Sequence, residues 1–378
     1  MATLSKILAD FADFFGLRAL MRRLSFWALV GGFSLLTFLR LVWSRWKTSG
    51  PFFFVRPREK PAVLKGWSDG FVQLSARHPT ALRGGRTEGR TDDAVRPRIP
   101  AVLVRIPECP FDHPPLSFRY CWRHQLREFQ RDHHVVAVDM RGYGESERPK
   151  DVAAYRLGKL VGDLAETIEH FGGKVILVAH DWGAFVAWSL AEKHPHLVDR
   201  LVILNVPVPR AFHRLVATNR KQLRASWYIF MFQTPWLAEA VYRAKDFEVL
   251  AATFRKGVHN KGAINEEDLE AYKYAFKDPY ALTAAINYYR AMPPLLQDVN
   301  TKEEVVIKPK TLIVWGRGDP ALIEEGAHLS LQYCADARIR LVPNASHFVQ
   351  EDQPDVVNAH IRDFLAEDDG KSALKSAL

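Results

Sequence analysis

The chain has 378 residues, 48% hydrophobic, 25% charged and 12% aromatic, with a formal net charge of +9. That balance excludes an intrinsically disordered chain, and the length admits one large domain or two small ones. The positive surplus lies in residues 1–98, which hold 17 Lys and Arg against 7 Asp and Glu; the remainder holds 35 against 36. A nucleic-acid partner is therefore not expected, because such a protein carries its basic residues on the folded domain. Cys109, Cys121 and Cys334 form no C-x-x-C and join no histidine cluster, so neither a disulfide framework nor a structural zinc site is expected.

In chain order, Leu4 to Leu20 is amphipathic and suited to a membrane interface. Residues 24–43 read LSFWALVGGFSLLTFLRLVW, with no charge from Leu24 to Leu39. At 1.5 Å per residue this run is long enough to cross a hydrocarbon core of about 30 Å, with Arg40 near one end. Trp27, Trp43 and Trp46 fall where interfacial aromatics belong, and basic residues flank both sides: Arg22 and Arg23 before, Arg45, Lys47, Arg56, Arg58 and Lys60 after. The expectation is a single-pass anchor within residues 1–48, set against anionic lipid headgroups. The heavier trailing charge places the rest on the cytoplasmic side, at the endoplasmic reticulum. Residues 49–98, with Pro51, Pro57, Pro61 and the run RGGRTEGRTDD, read as a basic linker without packed structure.

The pattern then changes to short β-branched runs alternating with helical stretches. Val102–Val104, Val135–Val138, Val175–Val178, Leu201–Leu204 and Thr311–Val314 read as buried parallel strands, and Arg338–Val342 as a last one before a helix at 354–366. The fold class is α/β, a doubly wound, mostly parallel sheet. Its core spans 99–205 and 300–366, with a helical cap inserted at 206–299 over the carboxyl edge of the sheet and a disordered tail at 367–378.

The sharpest motif is Val178-Ala179-His180-Asp181-Trp182-Gly183-Ala184, directly after a strand and opening a helix. It has the form of a nucleophile elbow, with Asp181 in the nucleophile position. The helix N-terminus favours an anion there, which keeps the carboxylate ionised. The one G-x-S-x-G, Gly66-Trp67-Ser68-Asp69-Gly70, lies in the basic linker and not between a strand and a helix, so a serine esterase is not expected. A carboxylate nucleophile suits displacement at an sp3 carbon, giving an alkyl ester that water must cleave. Asp319, in Trp315-Gly316-Arg317-Gly318-Asp319-Pro320, and His347, in Asn344-Ala345-Ser346-His347-Phe348, follow in the loops after two later strands. The order nucleophile, acid, histidine is that of the α/β-hydrolase fold: Asp319 orients His347, and His347 activates the water. His180 is read as structural.

The run His180-Asp181-Trp182-Gly183, with Asp139-Met140-Arg141-Gly142-Tyr143-Gly144-Glu145-Ser146, resembles the epoxide hydrolases of the α/β-hydrolase superfamily. The N-terminal anchor and the tail from Ser346 to Pro354 are similar to the membrane-anchored animal group, over roughly residues 20–60 and 120–366. The resemblance implies a hydrolase that turns apolar epoxides, plausibly of lipids, into vicinal diols, with no metal or organic cofactor. It further implies that Tyr228, matching a Tyr-x4-Phe/Gln pattern, and Tyr289, in Asn287-Tyr288-Tyr289-Arg290, hold and protonate the epoxide oxygen. Trp182 would supply one backbone N–H of the oxyanion hole. The family's His-Gly-x-Pro loop, source of the other donor, is replaced by Arg105-Ile106-Pro107-Glu108-Cys109-Pro110. Two readings stand beside this one: a haloalkane dehalogenase, which shares the Asp-Trp pair and grips halide through indole N–H groups, and a catalytically impaired anchored homologue that binds lipid.

Overall fold

The computed structural model describes residues 17–47, 55–64, 70–73, 79–84, 101–106, 119–292 and 306–367. The amphipathic stretch Leu4–Leu20 lies outside them up to residue 16, as do the altered loop after Ile106, Cys109 and the tail beyond residue 367.

Among the described residues eight strands form one sheet: β1 (Gly70–Gln73), β2 (Pro79–Gly84), β3 (Ala101–Ile106), β4 (Val135–Asp139), β5 (Val175–His180), β6 (Val198–Leu204), β7 (Lys310–Gly316) and β8 (Ala337–Val342), in the order β1-β2-β4-β3-β5-β6-β7-β8. From β4 to β8 all pairings are parallel; β2 runs against both of its neighbours. The central strands read as unbroken apolar runs because both sheet faces are covered. Alternation within them divides the core: Val136, Val138, Leu177 and Ala179 feed one apolar layer, and Val135, Ala137, Ile176 and Val178 the other. Helices α2 (Arg123–Phe129) and α14 (Pro354–Ala366) close the second layer through Phe129, Val357, Ile361 and Phe364. The first is closed by α3 (Leu157–His170) and α4 (Asp181–Lys193), the latter buried along most of its length.

Strands β1 and β2 correct the sequence reading, which gave residues 49–98 to an unstructured linker. Neither GFVQ nor PTALRG has a β-branched run to announce it. They are strands because β4 offers β2 a ladder, Ala81 opposite Asp139 and Leu82 opposite Val138. Residues 55–64 are also tied down. The Arg58 guanidinium meets Asp246 at 2.6 Å and Glu270 at 2.9 Å, and Leu64 is buried. Arg58, expected to face lipid headgroups, is committed to the protein.

Between β6 and β7 the described residues form seven helices: α5 (Pro209–Thr218), α6 (Arg220–Ala225), α7 (Trp227–Phe232), α8 (Leu237–Arg243), α9 (Glu248–Gly257), α10 (Glu266–Tyr274) and α11 (Ala281–Ala291). After β7 come α12 (Glu325–Ser330) and the short α13 (Val349–Asp352). The N-terminal apolar run belongs to one helix, α1 (Leu17–Trp46), long and apolar enough to cross a membrane. Its Phe26, Val30 and Thr37 are buried within the protein, with Phe26 and Phe33 ring-packed on Phe230 of α7.

The Asp139–Ser146 motif is a turn rather than a site. Gly142 and Gly144 take φ of +91° and +50°, and a Cβ on Gly144 would strike the Asp139 carboxylate. Arg141 grips Asp163 with two hydrogen bonds of 2.8 and 2.6 Å, both side chains buried. Asp163→Ala strands the guanidinium inside the protein, so a loss of about 3–5 kcal/mol in unfolding free energy is expected by chemical denaturation. The pairwise replacement Arg141→Met with Asp163→Leu recovers most of it.

Candidate active site

Residue 181 stands at the junction of β5 and α4. His180 is extended (φ −133°), and Asp181 then takes φ +57°, a left-handed conformation that costs a non-glycine residue about 1–3 kcal/mol. This sharp strand-to-helix reversal is the elbow expected from the sequence. Asp181 is fully buried. Ala179 and Ala184, both at zero exposure, show why small residues surround it.

At the carboxyl end of β7, Asp319 accepts on one oxygen from His347 Nδ1 at 2.6 Å and from Asn205 Nδ2 at 2.7 Å. Its other oxygen accepts from the backbone N–H groups of Ala321 and Leu322 at 2.8 and 3.0 Å. Four donors on one buried carboxylate favour its ionised form. They also fix the imidazole, with the hydrogen of that bond on Nδ1. The histidine is fully buried and sits beside the elbow: the His180 and His347 rings are 4.6 Å apart, and His180 Nε2 donates to the His347 carbonyl at 2.7 Å. His180 thus joins the nucleophile turn to the histidine loop, in keeping with a structural role.

Asn205 carries no motif, and the sequence reading missed it. It follows β6 with φ +52°. Its side-chain oxygen accepts from Gly316 N at 2.8 Å while its amide donates to Asp319, so it clamps the ends of β6 and β7 together. Gly316 is required by contact: a Cβ there would lie 2.2 Å from the Ser346 carbonyl oxygen and 2.7 Å from that of Ala345. The only hint in the sequence is a lone polar residue ending an apolar strand. Asp352 was missed too: it takes the backbone N–H of Ser346, next to the histidine, at 2.8 Å, together with those of His259 and Asn260 from the cap at 3.0 and 2.7 Å.

The cap lowers two tyrosines over the elbow. Tyr228 on α7 and Tyr289 on α11 are both buried, with ring centroids 5.9 Å apart. Tyr289 lies edge-on to Trp182 at 5.0 Å. The residues around them account for the spacing of the motif. Gln233, five positions after Tyr228, donates to the Tyr289 carbonyl at 3.0 Å. Arg290 donates to the Phe232 carbonyl at 2.9 Å and pairs with Glu239 at 2.8 Å. One tyrosine helix is thereby locked to the other. Tyr288, one position away, donates to the Arg141 carbonyl at 2.5 Å and packs on Tyr143 and Tyr155. Burial, reinforced by the neighbouring Tyr155 phenol, holds its proton well above the ordinary tyrosine range.

A cavity of about 390 Å³, its open mouth included, lies between core and cap, lined by Trp182, Phe185, Phe212, Ile229, Tyr289 and Met292. The wall is mostly apolar, with Tyr289 and His213 as its polar members. Among the described residues no group of three or more His, Cys, Asp or Glu is arranged to hold a metal. The Cys334 thiol, pushed up to about 12 by burial, is an unreactive sulfur.

Residues 111–360 match the alpha/beta hydrolase family. The chain is 38% identical over 341 residues to "Epoxide hydrolase 2" of Caenorhabditis elegans, covering 87% of this chain and 89% of that protein. It is 35% identical over 362 residues to "Epoxide hydrolase 4" of Homo sapiens, covering 93% and 96%. Among solved structures, an inhibitor complex of a Bacillus megaterium epoxide hydrolase superposes with a TM-score of 0.68 at 27% identity, over 79% of this chain and all of that one. With its strand order, elbow and inserted cap, this chain belongs to the epoxide hydrolases of the α/β-hydrolase family.

Proposed function

We propose that this enzyme converts apolar, lipid-type epoxides to vicinal diols in two steps, with Asp181 as nucleophile. In the first, the Asp181 carboxylate attacks an epoxide carbon; the carbon–oxygen bond of the ring breaks, and the departing oxygen takes a proton from Tyr228 or Tyr289. In the second, His347 removes a proton from water, and the resulting hydroxide attacks the carboxyl carbon of the ester. The tetrahedral intermediate collapses by breaking the bond between the carboxyl carbon and the diol oxygen. That oxygen takes the proton of the new carboxylic acid, which restores the Asp181 carboxylate, and the imidazolium proton passes through solvent to the tyrosinate, which restores His347 and the phenol. The Asp319 carboxylate steadies the imidazolium formed on the way, and the Trp182 backbone N–H serves the oxyanion.

The observation that carries this reading is the pair of buried cap tyrosines above the elbow, tied to each other through Gln233 and Arg290. A phenol of pKa near 10 keeps its proton at neutral pH and yields it to an alkoxide, which is far more basic. A leaving halide needs no proton, so two clamped phenols have no work to do in a dehalogenase. The apolar wall of the cavity and the N-terminal helix support a substrate drawn from lipid, on the cytoplasmic face of a membrane such as the endoplasmic reticulum.

Incubated with a long-chain epoxide, Asp181→Asn loses diol formation by more than about 10³-fold. His347→Gln still alkylates and accumulates, by intact mass, the protein plus one substrate. Absence of both diol from the wild type and adduct from the variant overturns the reading, and chloride release from a chloroalkane in its place favours a dehalogenase. Tyr228→Phe and Tyr289→Phe each slow alkylation about 10- to 100-fold, and the double variant by 10³-fold or more, measured in single turnover. Asn205→Ala releases the clamp on Asp319 and slows the hydrolytic half-reaction by about 10²-fold, so that ester builds up in the steady state where the wild type shows none.

A further inference from the structure

Helix α1 is apolar on two opposite faces, and only one of them is covered. Phe26, Val30, Phe33, Thr37, Leu41 and Ser44 recur at steps of three and four, the spacing of a single helix stripe. This stripe lies along the cap. Phe33 stacks on Phe230 at 5.9 Å and meets Trp227 at 6.2 Å, Ser34 shares a 2.5 Å hydrogen bond with Thr234, and Ser44 accepts from Lys245 Nζ at 3.5 Å. On the opposite side Met21, Leu24, Leu35, Leu39, Val42 and Trp46 form a second stripe, with exposures from 49% to 76%. Arg40 and Arg45 fall between the two stripes on the helical wheel and Arg23 at the edge of the covered one, while the exposed Trp27, Leu36, Phe38 and Trp43 widen the apolar outer surface, with Lys47 over the Trp43 ring at 4.5 Å.

A span is hard to reconcile with this arrangement. Thirty residues make a helix about 45 Å long, enough to cross the bilayer, but the covered stripe leaves no free length of about 20 residues to do so. A crossing would either strip α1 from the cap or pull Lys245, Glu239 and Arg290 into hydrocarbon with it, at several kcal/mol per charge. A wide apolar surface outward, a stripe covered by the cap along most of the helix and exposed tryptophans toward both ends fit a helix that lies in the interface beside the cap.

We propose that α1 lies in the plane of one anionic lipid leaflet, its outer stripe among the acyl chains and its inner stripe on the cap. This deepens the membrane part of the proposed function. The enzyme is then monotopic, and α7 carries the α1 contact through Trp227 and Phe230 and the proton donor Tyr228 on neighbouring positions of one short helix. The leaflet that supplies the substrate and the group that protonates it are separated by a single helix.

The test uses the full chain with its native cysteines replaced by alanine, and one fluorophore-labelled cysteine at Leu24, Leu35 or Val42 on the outer stripe, or at Thr37 on the inner one. Vesicles of phosphatidylcholine and phosphatidylserine carry nitroxide quenchers at shallow or deep positions. The expected result is equal, shallow quenching at the three outer sites and none at Thr37→Cys. Deep quenching at Leu35→Cys between shallow ends, with Thr37→Cys quenched as well, establishes a span and overturns the proposal. Failure of the chain to bind these vesicles, or a stable dimer that hides the outer stripe in their presence, also overturns it. Leu35→Glu with Leu39→Glu lowers vesicle partitioning at least about tenfold at unchanged thermal stability. None of these readouts involves turnover, so they stand or fall separately from the reaction.

Discussion

The Asp319 carboxylate is the point on which the site depends. Buried and holding four hydrogen bonds, it joins three elements that have no covalent reason to be near one another: the end of β6 through Asn205, the loop after β7 through the N–H groups of Ala321 and Leu322, and the loop after β8 through His347. A parallel sheet places the carboxyl ends of its strands at one edge, but does not bring their loops to within a hydrogen bond of each other. Here the last ångströms are closed by the absence of a side chain at Gly316, which lets the histidine loop rest on the end of β7, and by Asn205, which ties β6 and β7 together. His347 and Asp319 are held in place by Asn205 and Gly316, neither of which carries a titratable group.

Much of this was legible in the residues because the chemistry constrains short stretches of chain. The elbow needs small neighbours and a nucleophile in five consecutive positions, and the strands feeding it are unbroken apolar runs. The spacing in the Tyr-x4-Gln and Asn-x-Tyr-Arg patterns now has a physical account: Gln233 and Arg290 are braces between the two helices, and Tyr288 is spent on the core. What escaped the sequence depends on partners distant in the chain. Strands β1 and β2 have weak intrinsic preference and owe their form to the ladder with β4, so a segment rich in Gly, Thr and Arg passed for a linker. Arg58 looked like one more basic flank until Asp246 and Glu270 were found opposite it. Asn205 has no periodicity or spacing at all; its role exists only once two strands lie side by side.

The N-terminal helix shows a different kind of ambiguity. Twenty apolar residues meet the length criterion for a membrane span whether they are wrapped by lipid or half covered by protein. Its stripe of Phe26, Val30, Phe33 and Thr37 is written in the sequence, but in an apolar background it has no contrast and becomes visible only against α7.

The short helix α13 ties the cap to the loop that carries His347. Glu351 accepts from Arg123 at 2.6 Å and from Tyr272 of the cap, and Asp352 holds the backbone of the cap at His259 and Asn260 as well as that of Ser346 beside the base. These carboxylates are buried, so a cap that swung away would expose or orphan them and drag the histidine loop along. The cap is therefore a fixed roof and not a door. Lifting it as a whole would break several buried ion pairs and hydrogen bonds at once.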